Sequence, residues 1–105
     1  MTRVTITKNK KDITLTAKGH AGSGDPDRVC AAISMLCYTL AENVDEMYGE
    51  DSVKNFCFRD EPGDLELKAN GCGRKAAFLF HVIQRGFEML EAAYPDNVSV
   101  ESDLK

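Results

Sequence analysis

Two long helix-period stretches, each preceded by a pair of short alternating stretches, constrain this 105-residue chain more than any other feature. In the first, Val29, Ile33, Leu36, Leu40, Val44 and Met47 recur at spacings of three and four. That spacing lays one apolar stripe along an α-helix. In the second, Ala76, Leu79, Phe80, Ile83, Phe87, Leu90 and Tyr94 do the same, and Pro95 stops the run. An apolar stripe must be covered by another layer, and the alternating stretches supply it.

Those stretches have period two. Val4 and Ile6 alternate with Thr5 and Thr7 over residues 3–8, and Ile13, Leu15 and Ala17 alternate with Thr14, Thr16 and Lys18 over residues 12–18. Each reads as a strand with one buried face. The polar run Asn9-Lys10-Lys11-Asp12 between them predicts a hairpin turn. A second hairpin is predicted from residues 52–59 and 64–69, joined through Asp60-Glu61-Pro62-Gly63 with its Pro-Gly turn signal. Leu65, Leu67 and Ala69 mark the buried face of its better-defined strand. Residues 97–100 form a short last strand. The order is ββαββαβ, and the expectation is an α+β fold with two long helices packed on one face of a mixed or antiparallel sheet, in a single domain spanning residues 1–105. The second helix carries surplus apolar residues at Phe78, Val82 and Met89. They predict either a second packing partner within the chain or a homodimer face.

Composition excludes several function classes. The net charge of −4 argues against nucleic-acid binding, which needs a basic face. No apolar run approaches the ~18 residues of a membrane span, and Met1-Thr2-Arg3-Val4-Thr5 lacks the apolar core of a secretion signal. The expected location is therefore cytoplasmic, where Cys30, Cys37, Cys57 and Cys72 stay as thiols. Without a Cys-x-x-Cys pair they do not read as a metal site, and no cofactor is expected.

Chemistry concentrates between residues 19 and 34. Gly19-His20-Ala21-Gly22-Ser23-Gly24 follows the second strand, and Asp25-Pro26-Asp27 opens the first helix. Proline favours the first helical position, which makes Asp25 the expected N-cap and Asp27 the alternative. Cys30 then falls in the first or second turn, where the helix dipole favours a thiolate. His20 lies a short loop away and is the candidate general base. Asp27 precedes Cys30 by three residues and Ser34 follows it by four, so both sit near the sulfur on the helix surface. An orienting or capping role suits Asp27, because its charge directly beside the sulfur would oppose the thiolate. Gly22-Ser23-Gly24 does not read as a phosphate loop: it lacks the Gly-Lys-Ser/Thr ending, and Asp25 and Asp27 would repel an anion. Cys37 lies about 10 Å from Cys30 along the helix, and it is assigned to packing with Cys57 and Cys72. His81, among Gln84, Arg85 and Glu88, is expected on the exposed polar side of the second helix.

Gly19-His20-Ala21, a glycine-containing loop and Asp27-Arg28-Val29-Cys30-Ala31-Ala32-Ile33-Ser34 resemble the ribosomal-processing cysteine protease family. The family pattern is Gly-His-Ala, a variable loop, and Asp-x-Val-Cys-Ala-x-x-Ser. The resemblance implies a small cytoplasmic endopeptidase, usually a homodimer, that removes a short N-terminal extension from a protein of the large ribosomal subunit. It makes Cys30 the nucleophile and His20 the base, with Asp27 and Ser34 as supporting residues. Gly22 and Gly24 would belong to a loop that closes over substrate. The loop here is shorter than in the ribosome-processing members and lacks their aromatic residue, and Arg28 replaces an aliphatic. The alternatives are a protease acting on a different N-terminally extended protein and a non-catalytic peptide-binding or assembly-associated dimeric module.

Overall fold

The computed structural model describes residues 1–20, 22, 26–48 and 53–104. The elements follow the order β1 (Thr2–Asn9), β2 (Asp12–Lys18), α1 (Pro26–Met47), β3 (Asn55–Glu61), β4 (Asp64–Asn70), α2 (Arg74–Ala93) and β5 (Val98–Ser102). The five strands form one mixed sheet in the order β3-β4-β2-β1-β5. All pairings are antiparallel except β1–β5. This is the α+β architecture expected from the two periodicities. The parallel β1–β5 pair follows from α2 crossing over the sheet before β5, the connection that parallel neighbours require.

The alternating residues all turn the same way. Val4, Ile6, Ile13, Leu15, Ala17, Leu65, Leu67 and Ala69 are buried on one sheet face. Both helices cover that face, with α1 touching β3 and β4, α2 touching β5, and the two helices touching each other. Val29, Ile33, Leu40, Val44 and Met47 of α1 and Ala76, Phe80, Ile83 and Phe87 of α2 complete the core. Cys37 is buried with them, as its assignment to packing expects.

Both hairpins turn over two residues. In β1–β2, Asn9 faces Asp12 and Lys10 takes a left-handed φ of 59°. In β3–β4, Glu61 faces Asp64 and Gly63 takes φ 69°. Asp27 is the second residue of α1 and so not its cap. Pro26 stands at the first helical position, and Asp25 lies outside the described residues, as does Gly49, the expected C-cap of α1.

Several local expectations are corrected. β3 begins at Asn55 rather than at residue 52, and Cys57 is exposed. The reason is the period of the strand: Phe56 turns inward against Tyr48, just past the end of α1, and Phe58 turns inward against Tyr38 of α1, so Cys57 turns outward. His81 is half-buried, with an Nδ1 that has no hydrogen-bond partner among the described residues. Tyr94 caps α2 instead of extending it, donating its backbone N–H to the Leu90 carbonyl at 2.8 Å. Phe78, Val82 and Met89 gain no cover from α1 and stand exposed at 68%, 46% and 73%. Among the described residues, no helix is long and apolar enough to cross a membrane.

Candidate active site

The register of β2 against β4 builds the site. Lys18 pairs with Asp64, so the chain leaving β2 runs alongside the β3–β4 turn. The Gly19 N–H donates to the Gly63 carbonyl at 2.9 Å, which carries the ladder one residue beyond the paired strands. The Thr2 hydroxyl donates to the Gly19 carbonyl at 3.3 Å from the other side. Gly19 has φ 97°, and a Cβ there would stand 2.5 Å from the Met1 carbonyl oxygen. Only glycine fits that combination of conformation and approach.

His20 comes next, and its imidazole rests on the Gly63 backbone. A Cβ at Gly63 would lie 2.7 Å from the ring Cε1 and 2.9 Å from Nε2. The absence of a side chain at residue 63, together with its left-handed φ, is what gives the ring its seat.

Across from this strand end, α1 presents Cys30 as its fifth residue. Val29 is fully buried beneath it and Cys30 is exposed. Burying Val29 and Ile33 fixes the rotation of the helix and aims Cys30 and Ser34 outward together. His20, Cys30 and Ser34 line one cavity of about 260 Å³, with Ala17, Ile33 and Leu65 as apolar surface and residues 60–64 as the opposite wall. No hydrogen bond joins His20 to Cys30 among the described residues; such bonds commonly tighten only when substrate is bound. Asp27 is exposed on α1 and does not line this cavity. Gly22 is exposed with φ 85°, and Gly24 lies outside the described residues.

The wall at residues 60–64 was not legible as part of a site. Pro62-Gly63 signalled a turn and nothing more, and only the strand register places that turn over His20. The wall is braced from α1, where the Tyr38 hydroxyl donates to Asp60 Oδ2 at 2.5 Å and the Tyr38 ring packs edge-on against Phe58. Arg59 Nη2 donates to Asp64 Oδ1 at 3.0 Å across the hairpin.

The buried thiols of Cys37 and Cys72 contrast with the exposed Cys30. Burial, and secondarily the nearby Asp60 charge, pushes the Cys37 thiol up to about 12. Burial likewise raises Cys72, whose Sγ–H donates to the Ala69 carbonyl. Both are held as inert thiols. Among the described residues, no group of three or more His, Cys, Asp or Glu side chains is placed to hold a metal ion.

A strand-end histidine, an exposed cysteine early in a long helix and a serine one turn further on, all lining one cavity of an α+β fold, make up the parts of a thiol hydrolase. The chain belongs to the cysteine protease Prp family, whose family model matches residues 1–99, and it is a cysteine protease. Solved structures share the fold. The crystal structure of SMU.848 from Streptococcus mutans superposes with a TM-score of 0.71 at 24% identity, covering 97% of this chain and 93% of that one. The essential ribosomal processing protease Prp from S. aureus, solved in complex with a substrate peptide, superposes with a TM-score of 0.79 at 18% identity, covering 98% and 100%. The same S. aureus protease with a covalently linked product peptide gives 0.72 at 18% identity, with the same coverage. No curated protein matches the sequence significantly.

Proposed function

We propose that this protein is an endopeptidase that removes a short N-terminal extension from a protein of the large ribosomal subunit, through a Cys30–His20 dyad. The observation that carries the reading is the common cavity of Cys30, His20 and Ser34, on elements whose placement is dictated by the core. The S. aureus relative, a ribosomal processing protease crystallised with a substrate peptide, supports the choice of substrate.

His20 takes the Cys30 proton, and the thiolate attacks the scissile carbonyl carbon. The tetrahedral oxyanion collapses, the C–N bond breaks, and the imidazolium returns its proton to the leaving amine. A thioester remains on Cys30. Water attacks it while His20 takes a proton, and collapse releases the new carboxyl terminus and restores the thiol. The N-terminal end of α1 favours both the thiolate and the oxyanion through the helix dipole. Ser34 supports the site from within the cavity by hydrogen bonding to the sulfur or the substrate. Asp27 acts from outside it by orienting His20.

The protein works in the cytoplasm, where reducing conditions preserve the exposed thiols of Cys30 and Cys57. It works as a homodimer paired through the outer face of α2, which exposes Phe78, Val82 and Met89. Val82→Asp should convert the dimer to a monomer in analytical ultracentrifugation, and a wild-type protein that sediments as a monomer would remove the dimer from the proposal.

The test of function is incubation with the N-terminally extended ribosomal precursor, followed by intact mass. Wild type should release one defined N-terminal peptide, and Cys30→Ala and His20→Ala should release none. Cleavage of other extended proteins but not of this precursor would reassign the substrate. Peptide binding without cleavage, unchanged in Cys30→Ala, would replace the dyad with a non-catalytic docking role.

A further inference from the structure

The two halves of the proposed dyad ride on separate pieces of the fold. Cys30 belongs to α1, whereas His20 follows β2 and rests on Gly63 of the β3–β4 hairpin. Burial of Val29, Ile33 and Leu40 holds α1 on the sheet, but apolar burial is non-directional. It opposes separation of the layers more than a slide of one past the other. The hairpin is the part of the sheet freest to slide, because β3 is an edge strand paired only with β4.

Tyr38 supplies a directional tie at that point. Cys30, Ser34 and Tyr38 follow one another at four-residue spacing along one side of α1, which puts Tyr38 about 12 Å beyond Cys30. Its hydroxyl donates to Asp60 Oδ2 at 2.5 Å, the short range of a hydrogen bond to a charged acceptor. Its ring packs edge-on against Phe58, with centroids 6.0 Å apart. Thr39 and Asn43, farther along the helix, instead donate to carbonyls of α1 itself. Asp60 lines the cavity and stands three residues before Gly63. Tyr38 is 40% exposed, so water could satisfy its hydroxyl and the fold does not need the bond to avoid a buried orphan.

Resting on the reading of Cys30 and His20 as a dyad, we infer that Tyr38 is a positioning residue for the reaction: through Asp60 its hydroxyl fixes the β3–β4 wall, and with it the His20 seat, relative to Cys30. Tyr38 does not line the cavity and acts without touching the reacting atoms. It registers the hairpin against the same helix that carries the nucleophile. The path is short, from the hydroxyl to Asp60, along the turn to Gly63 and onto the imidazole. Without the hydroxyl the ring still packs on Phe58, so the hairpin stays folded but loses its lateral stop. His20 then spends part of its time out of reach of Cys30.

The test uses the full chain in a Cys57→Ser background, so that Cys30 is the exposed thiol under observation. Alkylation of Cys30 by iodoacetamide, a small neutral reagent, is followed across pH, with thermal melts alongside. The rate difference between the wild-type site and His20→Ala defines the His20-dependent reactivity. Tyr38→Phe should melt close to wild type and lower that reactivity about fivefold near neutrality, as loss of one exposed hydrogen bond to a carboxylate allows, with a pH profile shifted toward that of His20→Ala. In a His20→Ala background, Tyr38→Phe should have no further effect, a dependence that a merely structural role would not show. Asp60→Ala should resemble Tyr38→Phe, and Asp60→Asn, which keeps a carbonyl oxygen for the hydroxyl, should recover most of the lost rate. Alkylation of Tyr38→Phe at the wild-type rate at every pH, or slowing that is equal with and without His20, overturns the assignment while leaving the dyad in place. If His20→Ala alkylates like the wild-type site, the dyad reading fails and the role of Tyr38 falls with it.

Discussion

Gly63→Ala should damage the site far more than it damages the fold. The added Cβ would stand 2.7 Å from His20 Cε1, where ordinary contact begins near 3.4 Å, so the ring must retreat by about 0.7 Å. A misplacement near 1 Å in a catalytic constellation costs up to about 100-fold in rate, which puts the expected loss at roughly tenfold. The left-handed φ of 69° adds about 1–2 kcal/mol of strain for a residue with a Cβ, offset by about 0.4–1 kcal/mol from a less flexible unfolded chain. The net destabilisation is about 1 kcal/mol, or ~4–8 °C in Tm. Gly71→Ala is the matched control. It has φ 65° and a Cβ approach of 2.7 Å, but to the exposed Lys54 side chain, away from the cavity. The assay is the second-order rate of Cys30 alkylation by iodoacetamide across pH, with thermal melts of both variants. Gly63→Ala should alkylate about tenfold more slowly near neutrality with an altered pH profile, while Gly71→Ala melts similarly and alkylates at the wild-type rate. If Gly63→Ala alkylates like wild type at every pH, His20 is not seated by Gly63 or does not act on Cys30.

Three further expectations follow from the core and the turns. Cys37 has its pKa raised by burial first and by Asp60 second, to about 12 from an ordinary 9.0. Folding thus favours its neutral thiol, and above pH 9.0 the unfolded chain ionises while the folded one does not. Urea midpoints should therefore fall between pH 9.0 and 12, by about 1 kcal/mol per pH unit; a flat profile through that window would contradict the burial of the thiol. Tyr38, raised by its hydrogen bond to Asp60, adds in the same direction. Phe80, fully buried between α2 and the sheet, should cost about 3–5 kcal/mol as Phe80→Ala in equilibrium denaturation, and a cost under 1 kcal/mol would show that its surroundings collapse to fill the space. Lys10→Gly should stabilise the β1–β2 turn by about 0.5 kcal/mol, since relief of the left-handed strain at φ 59° exceeds the added unfolded-state entropy; a lowered Tm would refute this.

Elements with a regular period were legible, because burial on one face writes itself into sequence at intervals of two or of three and four. Val4, Ile6, Ile13, Leu15 and Ala17 predicted β1 and β2, and Val29 through Met47 predicted α1. β3 was the weakest reading, because an edge strand buries little: Phe56, Phe58 and Asp60 turn toward α1 and its end without any of them being fully buried, and the strand starts at Asn55 rather than at residue 52. Cys57 looked like packing because a small apolar residue carries no sign of which face it takes.

His20, Cys30 and Ser34 were singled out in sequence because they flank one loop and one helix start. Local spacing is enough to nominate residues within such a span. The far wall was invisible, since residues 60–64 are remote in the chain and reach the cavity only through the pairing of β2 with β4. A hairpin turn has no periodicity, and its Pro-Gly signal describes its own backbone, not what the turn covers. The sequence alone therefore determined the element order and the buried faces, and it nominated Cys30 and His20 as the reacting pair. The tertiary structure decided the strand order, the seat of His20 on Gly63 and the acidic wall opposite Cys30. These depend on contacts between residues far apart in the chain, and local residue preference does not encode such contacts.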